Sequence, residues 1–267
     1  MKTSVKPDFH IPSEIYIRQD IINDIASISS KYGTRAVLIT TTENLEIYHA
    51  TVEFISDQFR KEGIGCIIYD ELPACPTTED IDTAVSFTKK TNANLIIGFG
   101  GIEAINSAKA VAILCNNYLF CNDLFSQQEL RASPMTLLTI PASPLFGFEI
   151  APLFFLDEIH GMTKKVFYNY GLFPAATIVD PVLSISISEE KAIKSSISTL
   201  AISTESVIST KNNNIINTYA LKSIDLIFRN LPSAYREPQS INPRIFLSTA
   251  SVMAGMAFSV SYLSVTL

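Results

Sequence analysis

Residues 94–109 read Asn94-Leu95-Ile96-Ile97-Gly98-Phe99-Gly100-Gly101-Ile102-Glu103-Ala104-Ile105-Asn106-Ser107-Ala108-Lys109. The first part is a short, continuously apolar run, the pattern of a strand covered on both faces. The second part spaces its apolar residues for a helix. Gly98, Gly100 and Gly101 make a tight corner between them. Glycines at a strand-to-helix corner let the backbone approach a pyrophosphate, and the helix start offers free N–H groups and the positive end of its dipole. The same sequence also suits a plain tight turn, so the motif alone is a weak signal.

Outward from this corner the pattern repeats. Helix-like spacing covers residues 15–32, 45–62, 79–91 and 104–114, and β-rich apolar runs cover 36–41, 65–69, 94–99 and 135–140. Alternating strands and helices predict a mostly parallel sheet with right-handed crossovers. After Pro181 the strand signals fade. Residues 220–231 read as helix, 184–210 are rich in Ser and Ile, which are mediocre helix formers, and 212–214 and 232–243 read as loops. The expected organisation is an α/β domain over 1–183 and an incomplete all-α domain over 184–267. Residues 245–267 carry no charge and are long enough to cross a bilayer. Their scattered Ser and Thr, with no basic flank or aromatic belt, favour a buried helix instead. Ser251 and Gly255, four apart, suit close helix packing.

Composition narrows the function classes. Of 267 residues 47% are hydrophobic and 17% charged, which supplies a core and argues against disorder. The net charge of -6 and the lack of a basic run argue against nucleic-acid binding. No export signal is read in residues 1–13. Cys66, Cys75, Cys115 and Cys121 form no CxxC pair, so free thiols in a cytoplasmic protein are expected. Zinc on Cys115 and Cys121 would need two further ligands. His10, His49 and His160 read as exposed or capping residues, Asp157 and Glu158 as turn residues, and Asp180 before Pro181 as part of a domain hinge.

The order of motifs resembles the iron-containing alcohol dehydrogenase family, within the dehydroquinate synthase-like superfamily. Residues 96–109 resemble its Gly-Gly-Gly-Ser-x-x-Asp-x-Ala-Lys stretch. Pro141-Ala142-Ser143-Pro144-Leu145-Phe146-Gly147-Phe148-Glu149 resembles its Pro-Thr-Thr-x-Gly-Thr-Gly-Ser-Glu loop. Pro174-Ala175-Ala176-Thr177-Ile178-Val179-Asp180-Pro181-Val182-Leu183 is similar to the segment closing its first domain, and Ala250-Ser251-Val252-Met253-Ala254-Gly255-Met256-Ala257-Phe258 to a core helix of its second. Tyr69-Asp70 with Pro76-Thr77 also fits.

The resemblance implies a dinucleotide-binding α/β domain, a helical domain holding iron or zinc, and NAD(P)-dependent hydride transfer between an alcohol and an aldehyde. Gly100, Gly101, Asn106, Lys109, Ser143, Lys164 (or Lys165) and Thr41 fall at cofactor positions. Thr41 stands where the family carries a ribose-binding Asp, so NAD and NADP are not separated. Ile102 and Glu103 replace the third Gly and the Ser, and a carboxylate at 103 faces phosphate charge unless it turns outward. Leu145, Phe146 and Phe148 put bulk where the family has Gly, Thr and Ser.

The family's metal ligands are one Asp and three His. The resemblance places Ser198 at the Asp, Ile202 at the first His and Leu267 at or near the second, with no counterpart for the last. No family-type metal site is expected, and no catalytic residue is assigned. The expected partners are a dinucleotide and a small alcohol or aldehyde, without membrane or nucleic acid; a homodimer is allowed. Activity is expected to be weak or lost. The alternatives are a catalytically inert nucleotide-binding or scaffold protein and a truncated gene product.

Overall fold

A computed structural model describes residues 9–126, 130–157 and 164–261. Six parallel strands form the central sheet: β1 (Glu14–Ile17), β2 (Arg35–Thr41), β3 (Gly65–Leu72), β4 (Leu95–Gly100), β5 (Thr136–Pro141) and β8 (Ala176–Val179), in the order β1-β8-β5-β4-β2-β3. A separate antiparallel hairpin pairs β6 (Leu153–Asp157) with β7 (Lys164–Tyr168). The helices of this half are α1 (Ile25–Ser29), α2 (Thr42–Lys61), α3 (Thr78–Lys90) and α4 (Ile102–Cys115). Three long helices follow: α5 (Glu189–Ile208), α6 (Asn214–Arg236) and α7 (Ile241–Ser261).

The continuous apolar runs have the expected cause. Side chains of a strand alternate between faces. Ala36 and Leu38 of β2 and Leu95, Ile97 and Phe99 of β4 pack against Ile25 of α1 and Val52, Ile55 and Phe59 of α2. Val37, Ile39 and Ile96 pack on the other face, against Ile81 of α3 and Ala108 and Val111 of α4. Both faces are covered, so no polar alternation survives. Helix α4 is buried from Ala104 through Leu114, because the sheet lies on one side of it and the β6–β7 hairpin on the other.

Several segments differ from the sequence reading. The helix expected over 15–32 is instead β1, a 3-10 turn at Ile21–Asp24 and the short α1. Asp20 at φ 58° interrupts any helix there, and the β-branched Ile15 and Ile17 pair with Thr177 and Val179 of β8. Strands β6, β7 and β8 were not expected; each has only four or five residues and owes its form to its neighbours. Residues 232–236, expected in a loop, continue α6, with Pro232 inside the helix. The loop expected at 212–214 lies where expected, between α5 and α6, with Asn214 already opening α6; the Asn213 side chain caps that helix by accepting from the N–H groups of Ile215 and Ile216.

Asp180 does tie elements together: its carboxylate accepts the N–H groups of Asp20 and Ile22 at 3.2 Å and of Val182 at 3.1 Å. Helix α7 is long and apolar enough to cross a membrane, yet 67% of its most apolar window is buried in the fold. It packs on α5 and α6 and meets the α/β half through glycine on glycine. A Cβ on Gly147 (φ 95°) would lie 2.3 Å from Gly255 Cα, and a Cβ on Gly255 would lie 2.5 Å from the Gly147 carbonyl oxygen.

Gly147→Ala is therefore expected to lower unfolding free energy by about 3 kcal/mol or more, from overpacking added to a disfavoured φ. Gly63→Ala is the control, at φ 72° with nothing within 4 Å of the new methyl group; it is expected to lose about 1 kcal/mol. Chemical denaturation compares the two, and equal midpoints would refute the tight contact.

Candidate functional site

In the parallel sheet, α2 leaves the carboxyl end of β2 over one face and α4 leaves the carboxyl end of β4 over the other. Open α/β sheets bind ligands in the crevice that such a reversal creates. A groove of about 510 Å³ lies at this point. Thr41 and Asn44 line it from the β2–α2 corner, Gly101 and Glu103 from the β4–α4 corner, Ser143 and Phe146 from the loop after β5, and Lys191, Lys194 and Ser198 from α5.

The corner is built around Asn44. Its amide donates to Thr41 Oγ1 at 2.8 Å, and its side chain lies so close to Gly100 that a Cβ there would sit 2.4 Å from Asn44 Nδ2. Gly100 also has φ 127°, so no other residue type suits the position. The next residue, Gly101, caps α4 without any side-chain hydrogen bond. The first N–H groups of α4 therefore face the groove with no side-chain cap from Gly101. Two cations stand on the opposite wall: Lys191 pairs with Glu43 at 2.5 Å and Lys194 with Glu190 at 2.6 Å. Glu103 does not turn outward. It is half-buried and lines the groove, and burial raises its carboxyl above the ordinary range, with a further push from Glu43.

Of the residues expected to hold a cofactor, Thr41, Gly101 and Ser143 share the groove, and Gly100 lies directly beneath it. Lys164 stands beside it on β7, paired with Asp157 at 3.1 Å and lying over the Phe155 ring; its charge reaches Glu103. Lys165, the alternative, lies over Phe125. Asn106 and Lys109 are buried within the fold and do not line the groove.

Lys109 has a different set of partners. Its Nζ donates to the carbonyls of Phe148, Ala151 and Leu153 at 2.5, 2.7 and 2.9 Å. Three acceptors match the three N–H bonds of an ammonium. Burial pulls the group down to about 7, while the charge of Glu149 pushes it back up. Glu149 is equally buried. Its carboxylate accepts from Ser251 Oγ at 2.6 Å and from the Gly147 N–H at 3.0 Å. Its carbonyl accepts from Thr139 Oγ1 at 2.8 Å. Burial raises the Glu149 carboxyl.

Two of the positions matched to metal ligands lie among the described residues. Ser198 lines the groove. Ile202, one turn further along α5, is buried in an apolar cluster with Phe148, Ala254 and Phe258, and Phe146 and Phe155 pack against it. Ring centroids of Phe148 lie 5.2–5.3 Å from those of Phe146, Phe155 and Phe258. Leu267 and His160 lie outside the described residues. Among those described, no three His, Cys, Asp or Glu side chains gather as metal ligands would. All four cysteines are free, and burial pushes Cys66 and Cys115 up to about 11. His49 is exposed and faces Glu53.

Residues 12–181 match the iron-containing alcohol dehydrogenase family, and residues 192–266 match the C-terminal domain of the Fe-containing alcohol dehydrogenase family. The chain is 22% identical to alcohol dehydrogenase 4 of Saccharomyces cerevisiae over 94% of its own length and 65% of the yeast protein. It is 26% identical to the long-chain primary alcohol dehydrogenase AdhA of Thermoanaerobacter ethanolicus over 92% of its length and 62% of that protein. It thus spans somewhat less than two thirds of these relatives. An iron-containing alcohol dehydrogenase from Thermotoga maritima superposes with a TM-score of 0.87 at 23% identity, over 96% of this chain and 70% of that one. A sulfoacetaldehyde reductase from Bifidobacterium kashiwanohense, solved with NAD+, gives 0.88 at 21%, over 96% and 68%.

Lys109→Met would strand Glu149 and three carbonyls without their cation. It is expected to cost about 3–5 kcal/mol of stability. Ser251→Ala removes one donor and is expected to cost about 1–3 kcal/mol. Urea denaturation reads both; a Lys109→Met protein as stable as the parent would contradict a structural role for the ammonium.

Proposed function

The chain belongs to the iron-containing alcohol dehydrogenase family, and from that membership we propose that it binds NAD or NADP in the groove where β2 and β4 part, without assembling the family's metal centre. The glycine corner and the N–H groups of α4 support the first half, since a diphosphate needs donors at close backbone range. Lys191 and Lys194 add positive charge, Ser143 adds a hydroxyl donor, and Thr41 offers a neutral partner for a ribose.

The observation that carries the second half is Ile202 among Phe148, Ala254 and Phe258. A divalent ion needs nitrogen, carboxylate or thiolate donors, and neither the hydroxyl of Ser198 nor the alkyl chain of Ile202 replaces what the family uses there. The residues do not fit the metal. Hydride transfer between alcohol and aldehyde would then lack the Lewis acid that polarises the substrate oxygen. A dinucleotide-binding protein with weak or no dehydrogenase activity, working in the cytoplasm, is the reading that results.

Calorimetric titration with NADH and NADPH, metal analysis of the purified protein, and alcohol turnover with added Fe²⁺ or Zn²⁺ test this together. The expected outcome is saturable binding of one dinucleotide, substoichiometric metal, and turnover lower by about a thousandfold than a metal-replete relative, the effect of several kcal/mol. Stoichiometric iron or zinc with ordinary turnover would overturn it.

A further inference from the structure

The start of α4 already holds an anion. Glu103 is the second residue of a 14-residue helix, and its carboxylate folds back over the turn: Oε2 lies 3.2 Å from where a Cβ on Gly101 would be. Its own backbone N–H favours the charged form. The charged groups facing it are Glu43 on α2, Lys164 on β7 and Lys191 on α5. Both lysines are engaged elsewhere, Lys164 with Asp157 and Lys191 with Glu43. The side chain thus sits at the positive helix end, in the space a diphosphate would need, without a close cation of its own.

We propose that Glu103 is an internal occupant of the diphosphate position, so that a dinucleotide binds only when this carboxylate is protonated or displaced. The proposal rests on the dinucleotide reading given above and adds regulation of that site by pH. Two anions cannot share one set of N–H donors in a half-buried groove without strong repulsion. Protonation removes one of them. Burial and Glu43 already favour the protonated form, while Lys164, Lys191 and the backbone N–H oppose it. The sign follows: affinity for a ligand carrying phosphate rises as pH falls and the carboxyl takes up a proton. No histidine lines the groove among the described residues, and the diphosphate of NADH keeps its charge through the mildly acidic and neutral range. Lys109, pulled down to about 7, also titrates in that range, so the difference between the parent and a variant without the Glu103 charge, rather than the parent's profile alone, reports on this carboxylate.

NADH affinity is to be measured by calorimetry between about pH 5.5 and 8.5 for the parent chain and for Glu103→Gln, an isostere without charge. The parent is expected to weaken by about tenfold or more as pH rises, and Glu103→Gln to bind about tenfold tighter than the parent at the alkaline end with a flat profile. Equal affinities and equal profiles would overturn the proposal while leaving dinucleotide binding intact. Weaker binding by Glu103→Gln would also overturn it, since the carboxylate would then be a ligand contact. No binding by either protein at any pH would overturn this proposal and the dinucleotide reading together. Should Glu103→Gln fail to fold, Glu103→Ala takes its place under the same expected and refuting outcomes.

Discussion

A buried ammonium and a buried carboxylate hold this molecule in register. Lys109 comes from α4 and Glu149 from the loop after β5; the Glu149 carboxylate accepts from Ser251 on α7 and from the Gly147 N–H, its backbone carbonyl accepts from Thr139 on β5, and the ammonium donates to the carbonyls of Phe148, Ala151 and Leu153 leading into the hairpin. Two charges taken out of water carry a desolvation penalty of several kcal/mol each. That penalty is tolerable only while every donor and acceptor stays matched, so the arrangement permits very little drift. The loop from Pro141 to Pro152 takes its course from this constraint, and with it the positions of Ser143 and Phe146 at the groove.

The same loop has two characters. On the groove side it offers a hydroxyl, that of Ser143, beside the start of α4. On the other side it offers Phe148 to a cluster that extends to Phe258 on α7 and Ile202 on α5. Polar and apolar chemistry are thus sorted onto opposite sides of one short segment. The groove side keeps polar and charged groups of both signs. The side toward the helices is filled with aromatic carbon, where a cation would find no partner.

Much of this was legible in the sequence. The runs over 36–41 and 94–99 are apolar throughout because helices cover both faces, and that pattern needs no structural knowledge to read. The glycine corner was legible because Gly98, Gly100 and Gly101 cluster between an apolar run and a helical pattern; Gly100 indeed stands at a φ that other residues avoid. Short strands were not legible. The four residues of β1 and of β8 carry no periodicity of their own and become strands by pairing, β1 with β8 and β8 also with β5. Pro232 suggested a loop, yet the amphipathic pattern around it carries the helix four residues further. Lys109 was placed at the cofactor by resemblance. Sequence alone does not tell a lysine that reaches a ligand from one that turns inward onto three carbonyls. The direction of Glu103 was likewise open until its neighbours were known.

The meeting of Gly147 with Gly255 links the two halves of the fold mechanically. Backbone touches backbone there, with no side chain between to bend or slide. A displacement of α7 therefore passes undamped into the turn that carries Phe146 and, three residues earlier, Ser143. Widening of the groove and loosening of the helical bundle become a single motion, and whatever stiffens one must stiffen the other.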